Sequence, residues 1–395
     1  MRPLTDTMPK PMVPVNGRPF LDHLIGQMRE QGVRRVLLLS GYRGEMIRQH
    51  FGDGERHGLV ISYSHGPVEW ETGRRLWEAR PQIDGCFLLL YSDNFAPFNL
   101  EKLLGFHRSR PAAISLQLRP KGTGNIQVRP DGMVGTYDPS RTTAGLDHVE
   151  IGYMLVERDA VFALFDHPDV SFSRILQRLV QDGRLAGMTS GDPYHSVSDP
   201  VRWKLAERYL AEKRILLIDR DGTINRRPPR GTYVTQWQEF NWVDETVQAM
   251  RQLAAAGIRF IVLSNQAGIA RGMVTAEAVA AINRQMVAEL RAQQVEVIAT
   301  YVCPHHWDDG CDCRKPAPGM FFQVAREHLL RIDRTAYVGD DVRDCLAADN
   351  AGCLSVMIGP ERNQCPPDGP QPDFGAETLP EAVPWLIERF AAWEQ

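Results

Sequence analysis

The 395-residue sequence contains no apolar run near the about 18 residues that cross a bilayer. Its opening, Met1-Arg-Pro-Leu-Thr-Asp6, lacks the apolar core of a signal peptide. There is no internal repeat and no low-complexity tract. Charge is nearly balanced: 45 basic against 49 acidic side chains leave a net −4. That balance gives no electrostatic basis for binding nucleic acid or an anionic membrane. These absences lead us to expect a cytoplasmic protein whose partner is a small molecule. Cysteine is scarce, at seven residues. In a reducing compartment such cysteines are thiols or metal ligands rather than disulfides. Three of them crowd between Cys303 and Cys313.

The apolar content of 43% and charged content of 24% are those of a soluble globular protein. The length suggests two domains. Helix-like and strand-like segments alternate from Pro19 onward. Phe20–Met28 has helical spacing, while Val36–Leu39 and Phe87–Tyr91 read as short, buried strands. After a helix over Val201–Lys213 the alternation resumes: strands at 215–218, 259–263, 297–302, 335–339 and 354–358, helices at 244–256, 275–293, 319–330 and 342–350. The stretch Cys365–Pro372 reads as exposed and turn-rich. The expectation is α/β: two Rossmann-like three-layer domains, residues 1–209 with a mixed sheet and residues 210–395 with a parallel sheet.

The run Ile215-Leu-Leu-Ile-Asp-Arg-Asp-Gly-Thr-Ile224 carries the most chemistry. A buried strand ends there in two aspartates spaced i, i+2, which on a strand would face one pocket. Two close carboxylates need a cation between them or a shared proton, and Mg²⁺-assisted phosphoryl chemistry provides the first. Three further strand ends carry matching groups: Ser264-Asn265-Gln266, Arg314-Lys315, and Gly339-Asp340-Asp341.

Together these segments resemble the haloacid dehalogenase superfamily of phosphatases. Within it, Asp-Arg-Asp-Gly-Thr-Ile-Asn, Ser-Asn-Gln-Ala-Gly-Ile-Ala-Arg-Gly, Cys-Pro-His-His and Cys-Asp-Cys-Arg-Lys-Pro are similar to the D-glycero-D-manno-heptose 1,7-bisphosphate 7-phosphatase family. Histidinol-phosphate phosphatases share much of the pattern. The resemblance implies a minimal cap, Asp219 as nucleophile forming an aspartyl-phosphate, and Asp221 as acid and then base. It implies Mg²⁺ on Asp219, Asp340 and the Asp221 carbonyl, with Ser264 and Lys315 on the phosphoryl oxygens. Asn265 and Arg314 would contact phosphate or sugar. Asp341 stands where close relatives often carry a basic residue, and Asp344 is either an acid behind the metal site or a helix N-terminal acid. Tyr233 and Val234 fall in a substrate-facing loop, whereas Trp237, Phe240 and Trp242 read as packing.

Thiolates with an imidazole suit tetrahedral Zn²⁺, and a closed set of four implies a structural role. The resemblance assigns the ligands as Cys303, His305, Cys311 and Cys313, leaving His306 free. A zinc loop there would fix Arg314 and Lys315.

Residues 1–205 resemble sugar-phosphate nucleotidyltransferases, specifically guanylyltransferases acting on heptose or mannose 1-phosphate. The segments are Arg2–Leu21, Gly41–Ile47, Glu71-Thr-Gly73 and Ser92-Asp93. The resemblance implies Lys10 at nucleotide phosphates and Asp93 as a Mg²⁺-binding acid. Three departures argue for a degenerate domain. The family's Gly-rich loop precedes the segment with which this sequence opens, Glu71-Thr-Gly-Arg-Arg75 replaces a glycine-rich run, and Ser196–Pro200 offers only an offset Asp199 as second metal acid. The combined expectation is a heptose-bisphosphate phosphatase in a route to nucleotide-activated heptose for a surface polysaccharide. The alternatives are a bifunctional enzyme that also carries heptose 1-phosphate guanylyltransferase activity, or a histidinol-phosphate-type phosphatase.

Overall fold

The computed structural model describes residues 1–2, 4–229 and 231–393. They form two compact units, Met1–Ala211 and Glu212–Gln395.

In the first unit, helix α1 (Phe20–Glu30) buries Phe20, Leu21, Leu24, Ile25 and Met28, the i, i+1, i+4, i+5, i+8 stripe that its sequence spells out. Strands β1 (Arg35–Ser40) and β2 (Val60–His65) pair in parallel with each other alone. A separate mixed sheet contains β3 (Cys86–Leu90), β4 (Ile114–Pro120), β5 (Ile126–Val128), β6 (Val134–Tyr137), β7 (His148–Glu157) and β8 (Leu185–Thr189). Its order is β8-β4-β7-β5-β6, and β3 pairs antiparallel with β7. Helix α2 (Leu100–Arg108), capped by the Asn99 side chain, packs on this sheet.

The reading of Val36–Leu39 and Phe87–Tyr91 as buried strands needs correction. Both are strands, but most of their residues are only half-buried. Their apolar side chains border one cavity of about 1310 Å³, because β1 and β3 are not hydrogen-bonded to each other. Helix α3 (Pro200–Leu210) closes the unit, and Asp199 caps it by accepting the Arg202 N–H at 2.9 Å. Asp199 is therefore engaged as a helix cap.

The second unit is a six-stranded, wholly parallel sheet of order β11-β10-β9-β12-β13-β14. The strands are β9 (Ile215–Ile218), β10 (Arg259–Asn265), β11 (Val297–Cys303), β12 (Ala336–Gly339), β13 (Leu354–Ile358) and β14 (Phe374–Ala376). Helices α4 (Asp244–Ala255), α5 (Ala276–Ala292), α6 (Gly319–His328) and α7 (Val342–Ala351) connect the strands from β9 to β13, and α8 (Leu379–Ala392) follows β14. Strand β9 is buried at every residue, as a central parallel strand flanked by helices must be. Two apolar clusters contain the alternate faces of β9: Leu216 and Ile218 in one, Ile215 and Leu217 in the other. Trp237, Phe240 and Trp242 pack in the first, with Trp237 stacked on Phe240 at 4.7 Å. Cys365 departs from the expected exposed stretch and is buried beside Met357 and Cys345. Among the described residues, no helix is long and apolar enough to cross a membrane.

Candidate active site

Strand β9 ends at Ile218, so Asp219 and Asp221 lie in the turn beyond it and the i, i+2 strand argument does not apply. The Asp219 N–H donates to the Val338 carbonyl at 2.8 Å, which ties the turn to β12. Its carboxylate meets the Lys315 ammonium at 2.6 Å. Lys315 also reaches Asp344 at 2.7 Å, the Leu263 carbonyl at 3.2 Å and the Tyr337 hydroxyl. The crowded acids are thus Asp219, Asp340 and Asp344, whose oxygens lie within 4.8 Å of one another.

Burial is the largest influence on Asp219 and raises its pKa. Repulsion from Asp344 and Asp340 adds to the rise, while Lys315 opposes it. Asp340 is raised too, first by burial and then by Asp344 and Asp341, with Arg227 opposing. One Asp340 oxygen, Oδ1, is buried without a hydrogen-bond partner. Three carboxylates against the Lys315 ammonium and the Arg227 guanidinium leave negative charge in excess, and an oxygen-seeking divalent cation such as Mg²⁺ fits that donor set. Asp344 is already committed: it accepts from Lys315, from Tyr337 at 3.2 Å and from the Asp341 N–H at 3.1 Å. It therefore serves the site and the α7 capping box together.

Glycine is required twice. A Cβ on Gly222, whose φ is +104°, would overlap the Asp340 carboxylate, and one on Gly339 would overlap Asp344.

Asp221 is fixed separately. Buried Arg220 lies 2.8 Å from its Oδ2, and Gln266 and Asn225 donate to the carboxylate at 2.5 and 3.0 Å. Burial alone would raise the Asp221 pKa, but Arg220 and these hydrogen bonds outweigh it and hold the group below its ordinary value. The expected acid-then-base residue is therefore built as a carboxylate in the free enzyme. Ser264, also buried, accepts from Gln266 at 2.7 Å and lies 3.5 Å from Asp221.

Asn265 differs from expectation. Its amide donates to the Lys315 carbonyl and accepts the Lys315 N–H, both at 3.1 Å. With its carbonyl oxygen and one amide hydrogen on that backbone, Asn265 positions Lys315 rather than being left to grip a ligand. Asn265→Ala should lower kcat by about ten- to a hundredfold through misplacement of the ammonium, with KM little changed. Steady-state kinetics beside a thermal melt checks this, and an unaltered kcat would refute it.

Arg314 adjoins Lys315 and carries a buried Nη1 without a hydrogen-bond partner, which suits it to an anion. Val234 is buried in the core, whereas the Tyr233 ring covers Gly268 and lies beneath Arg271. Arg227 had no sequence signal. Its guanidinium sits 2.9 Å from Asp340, 3.3 Å from Glu361 and 3.5 Å from Asp341. For Asp341, burial is the largest influence and raises the pKa, but Arg343 and Arg227 outweigh it and hold the group at about 2.

The four assigned zinc ligands converge. Cys303 and Cys311 sulfurs are 3.7 Å apart, Cys311 and Cys313 3.6 Å, and His305 Nδ1 lies 3.7 Å from Cys303 and 3.2 Å from Cys313. With Zn–S bonds of about 2.3 Å, tetrahedral sulfurs stand roughly 3.8 Å apart, so the cluster matches the edges of a zinc tetrahedron. Cys303, Cys311 and Cys313 are thiols here, not disulfide sulfurs. His306 stays outside, against Trp307 and Asp308.

The family model for polynucleotide kinase 3 phosphatase matches residues 214–352, and that for nucleotidyl transferase matches residues 1–126. The chain is 32% identical over 183 residues to a D-glycero-beta-D-manno-heptose-1,7-bisphosphate 7-phosphatase of Pasteurella multocida, covering 45% of this chain and 97% of that relative. It is 36% identical over 154 residues to a D-glycero-alpha-D-manno-heptose-1,7-bisphosphate 7-phosphatase of Mycobacterium bovis, covering 36% of this chain and 78% of that relative. The chain belongs to the heptose-bisphosphate 7-phosphatase family. A solved structure of the D,D-heptose 1,7-bisphosphate phosphatase of B. bronchiseptica, complexed with magnesium and phosphate, is 29% identical over 44% of this chain and 98% of its own, with a TM-score of 0.40.

Unlike the relatives above, which match less than half of it, this member of the phosphatase family also carries the nucleotidyltransferase-like unit. There, Lys10 and Asp93 lie on the cavity between β1 and β3, with ammonium and carboxylate 2.6 Å apart. The expected nucleotide-phosphate cation and metal acid thus meet, about one third exposed.

Proposed function

We propose that this chain is a Mg²⁺-dependent phosphatase that removes the 7-phosphate of D-glycero-D-manno-heptose 1,7-bisphosphate through an aspartyl-phosphate on Asp219. The observation that carries the reading is the buried Asp219–Lys315–Asp344 network with Asp340 beside it. Asp219, Asp340 and the Asp221 carbonyl would hold the cation, which supplies charge neutralisation for the meeting of carboxylate and phosphate.

The chain's own groups provide the rest. Lys315 orients the Asp219 carboxylate and, with Ser264 and Arg314, faces the phosphoryl oxygens. An Asp219 oxygen forms the new bond to phosphorus as the sugar oxygen leaves. An arriving phosphate dianion raises the proton affinity of Asp221, so the same group can give a proton to the leaving oxygen and later take one from water. Cys303, His305, Cys311 and Cys313 would hold a structural zinc that braces Arg314 and Lys315.

The test is phosphate release from both anomers of the heptose bisphosphate and from histidinol phosphate, with Mg²⁺ and with chelator. Release from a heptose bisphosphate that chelator abolishes supports the proposal. Absence of release from either anomer contradicts it.

The raised carboxylates also set a pH dependence. Between the ordinary carboxylate pKa of 3.8 and their raised native values, the fold keeps protons that the unfolded chain has lost. Stability of the cation-free protein attributable to these groups therefore falls as pH rises through that window. Mg²⁺ should raise Tm more at about pH 8 than at about pH 5. An equal rise at both pH values would contradict this.

A second reading is favoured by the Lys10–Asp93 pair: the first unit transfers a nucleotide to the dephosphorylated sugar. Incubation with heptose 1-phosphate, GTP and Mg²⁺ decides it, since absence of pyrophosphate removes transferase activity.

A further inference from the structure

In the first unit, three metal-ligating side chains converge at one end of the mixed sheet. Cys86 opens β3 and Glu157 closes β7, and the two are directly opposed in the antiparallel register. Opposed residues project to the same face, here towards α2, whose last turn carries His107. One ligand atom from each of the three lies within 4.8 Å of the others. The imidazole is buried, at 4% exposure, and its Nε2 lies 3.0 Å from a Glu157 oxygen.

The far side of the ring is fixed as well. Nδ1 of His107 lies 2.8 Å from the Oγ of Ser115, which is fully buried on β4. When Nδ1 donates its proton to that hydroxyl, the Nε2 lone pair points at the Glu157 carboxylate. At that separation the pair holds either a proton or a metal ion between its lone pairs, and an arriving metal ion displaces the proton.

From this juxtaposition we propose that Cys86, His107 and Glu157 form a site for a divalent transition-metal ion of the zinc class. Thiolate, imidazole and carboxylate are a mixed donor set suited to Zn²⁺, and three protein ligands leave a fourth position for water. With a neutral imidazole the ligands carry two negative charges, which the ion balances. The exposure of Cys86 and the half-exposure of Glu157 give the ion a path from solvent. Binding would staple β3, β7 and α2 together at a point independent of the cysteine cluster in the second unit.

Zinc counting with the full chain tests the proposal. Purified protein is stripped, equilibrated with Zn²⁺, freed of excess by gel filtration and assayed for bound metal. The expected result is one equivalent fewer in Cys86→Ala than in the unsubstituted chain. Zn²⁺ should also slow alkylation of Cys86 by about tenfold, followed by peptide mass spectrometry, because a metal-bound thiolate is a poorer nucleophile. Glu157→Gln, at a half-exposed position, should lose that protection. Equal zinc content in Cys86→Ala and the unsubstituted chain would overturn the site, as would an alkylation rate indifferent to zinc or protection that persists in Glu157→Gln.

Discussion

Asp219→Asn should reduce phosphate release by at least about a thousandfold while leaving the fold intact. The amide is nearly isosteric with the carboxylate, so Lys315 keeps a polar neighbour and its ion pair with Asp344. What disappears is the nucleophile, and the three neighbouring acids are engaged elsewhere, Asp340 with Arg227 at 2.9 Å. Asp344 is held by Lys315, Tyr337 and the α7 cap, and Asp221 by Arg220, Gln266 and Asn225. Stability should move the other way. Burying an ionised Asp219 beside two further acids is unfavourable without a cation, so the cation-free variant should melt at or above the unsubstituted Tm. A melt in chelator together with a phosphate-release assay measures both. A variant with near-normal turnover would remove Asp219 from the chemistry.

Cys311→Ser should produce the second large effect, and it should change stability and turnover together. Each sulfur in the cluster stands within 3.7 Å of another ligand atom, so loss of one thiolate opens the tetrahedron and the metal dissociates. Tm should fall on the order of 10 °C, since a structural zinc contributes several kcal/mol to a domain of this size. Turnover should fall by about ten- to a hundredfold, although Cys311 touches no reacting group. The path is short: Cys313 is two residues before Lys315, whose backbone Asn265 clamps from the other side. Normal Tm and normal turnover together would dismiss a structural zinc.

Much of the phosphatase unit was legible because its signals are local. Strands such as Ile215–Ile218 and Leu354–Ile358 are short apolar runs bounded by turns, and burial on both faces demands that pattern. The zinc ligands were legible because their spacing is itself the chemistry. The chain's last strand and helix were not. Phe374–Ala376 is three residues long, and Leu379–Ala392 contains Pro384, so propensity opposed an element that tertiary packing supports.

Side-chain targets were harder to read than strand ends. Ser264-Asn265-Gln266 suggested phosphate ligands, yet Asn265 turns to the Lys315 backbone and Gln266 to Asp221. The pairing of Asp219 with Asp344 rather than Asp221 depends on Lys315 arriving from a distant loop, a contact no sequence spacing encodes. Arg227 met Asp340 for the same reason. In the first unit, Val36–Leu39 has the composition of a buried strand, but burial depends on a neighbour across the sheet, which composition cannot reveal.

The most direct test is rapid acid quench of the enzyme turning over heptose 1,7-bisphosphate with Mg²⁺, followed by peptide mass spectrometry. The account predicts a phosphoryl group on the peptide containing Asp219, absent when Asp219→Asn is used. Rapid substrate consumption with that peptide never modified, or with the phosphoryl group on another residue, would contradict it.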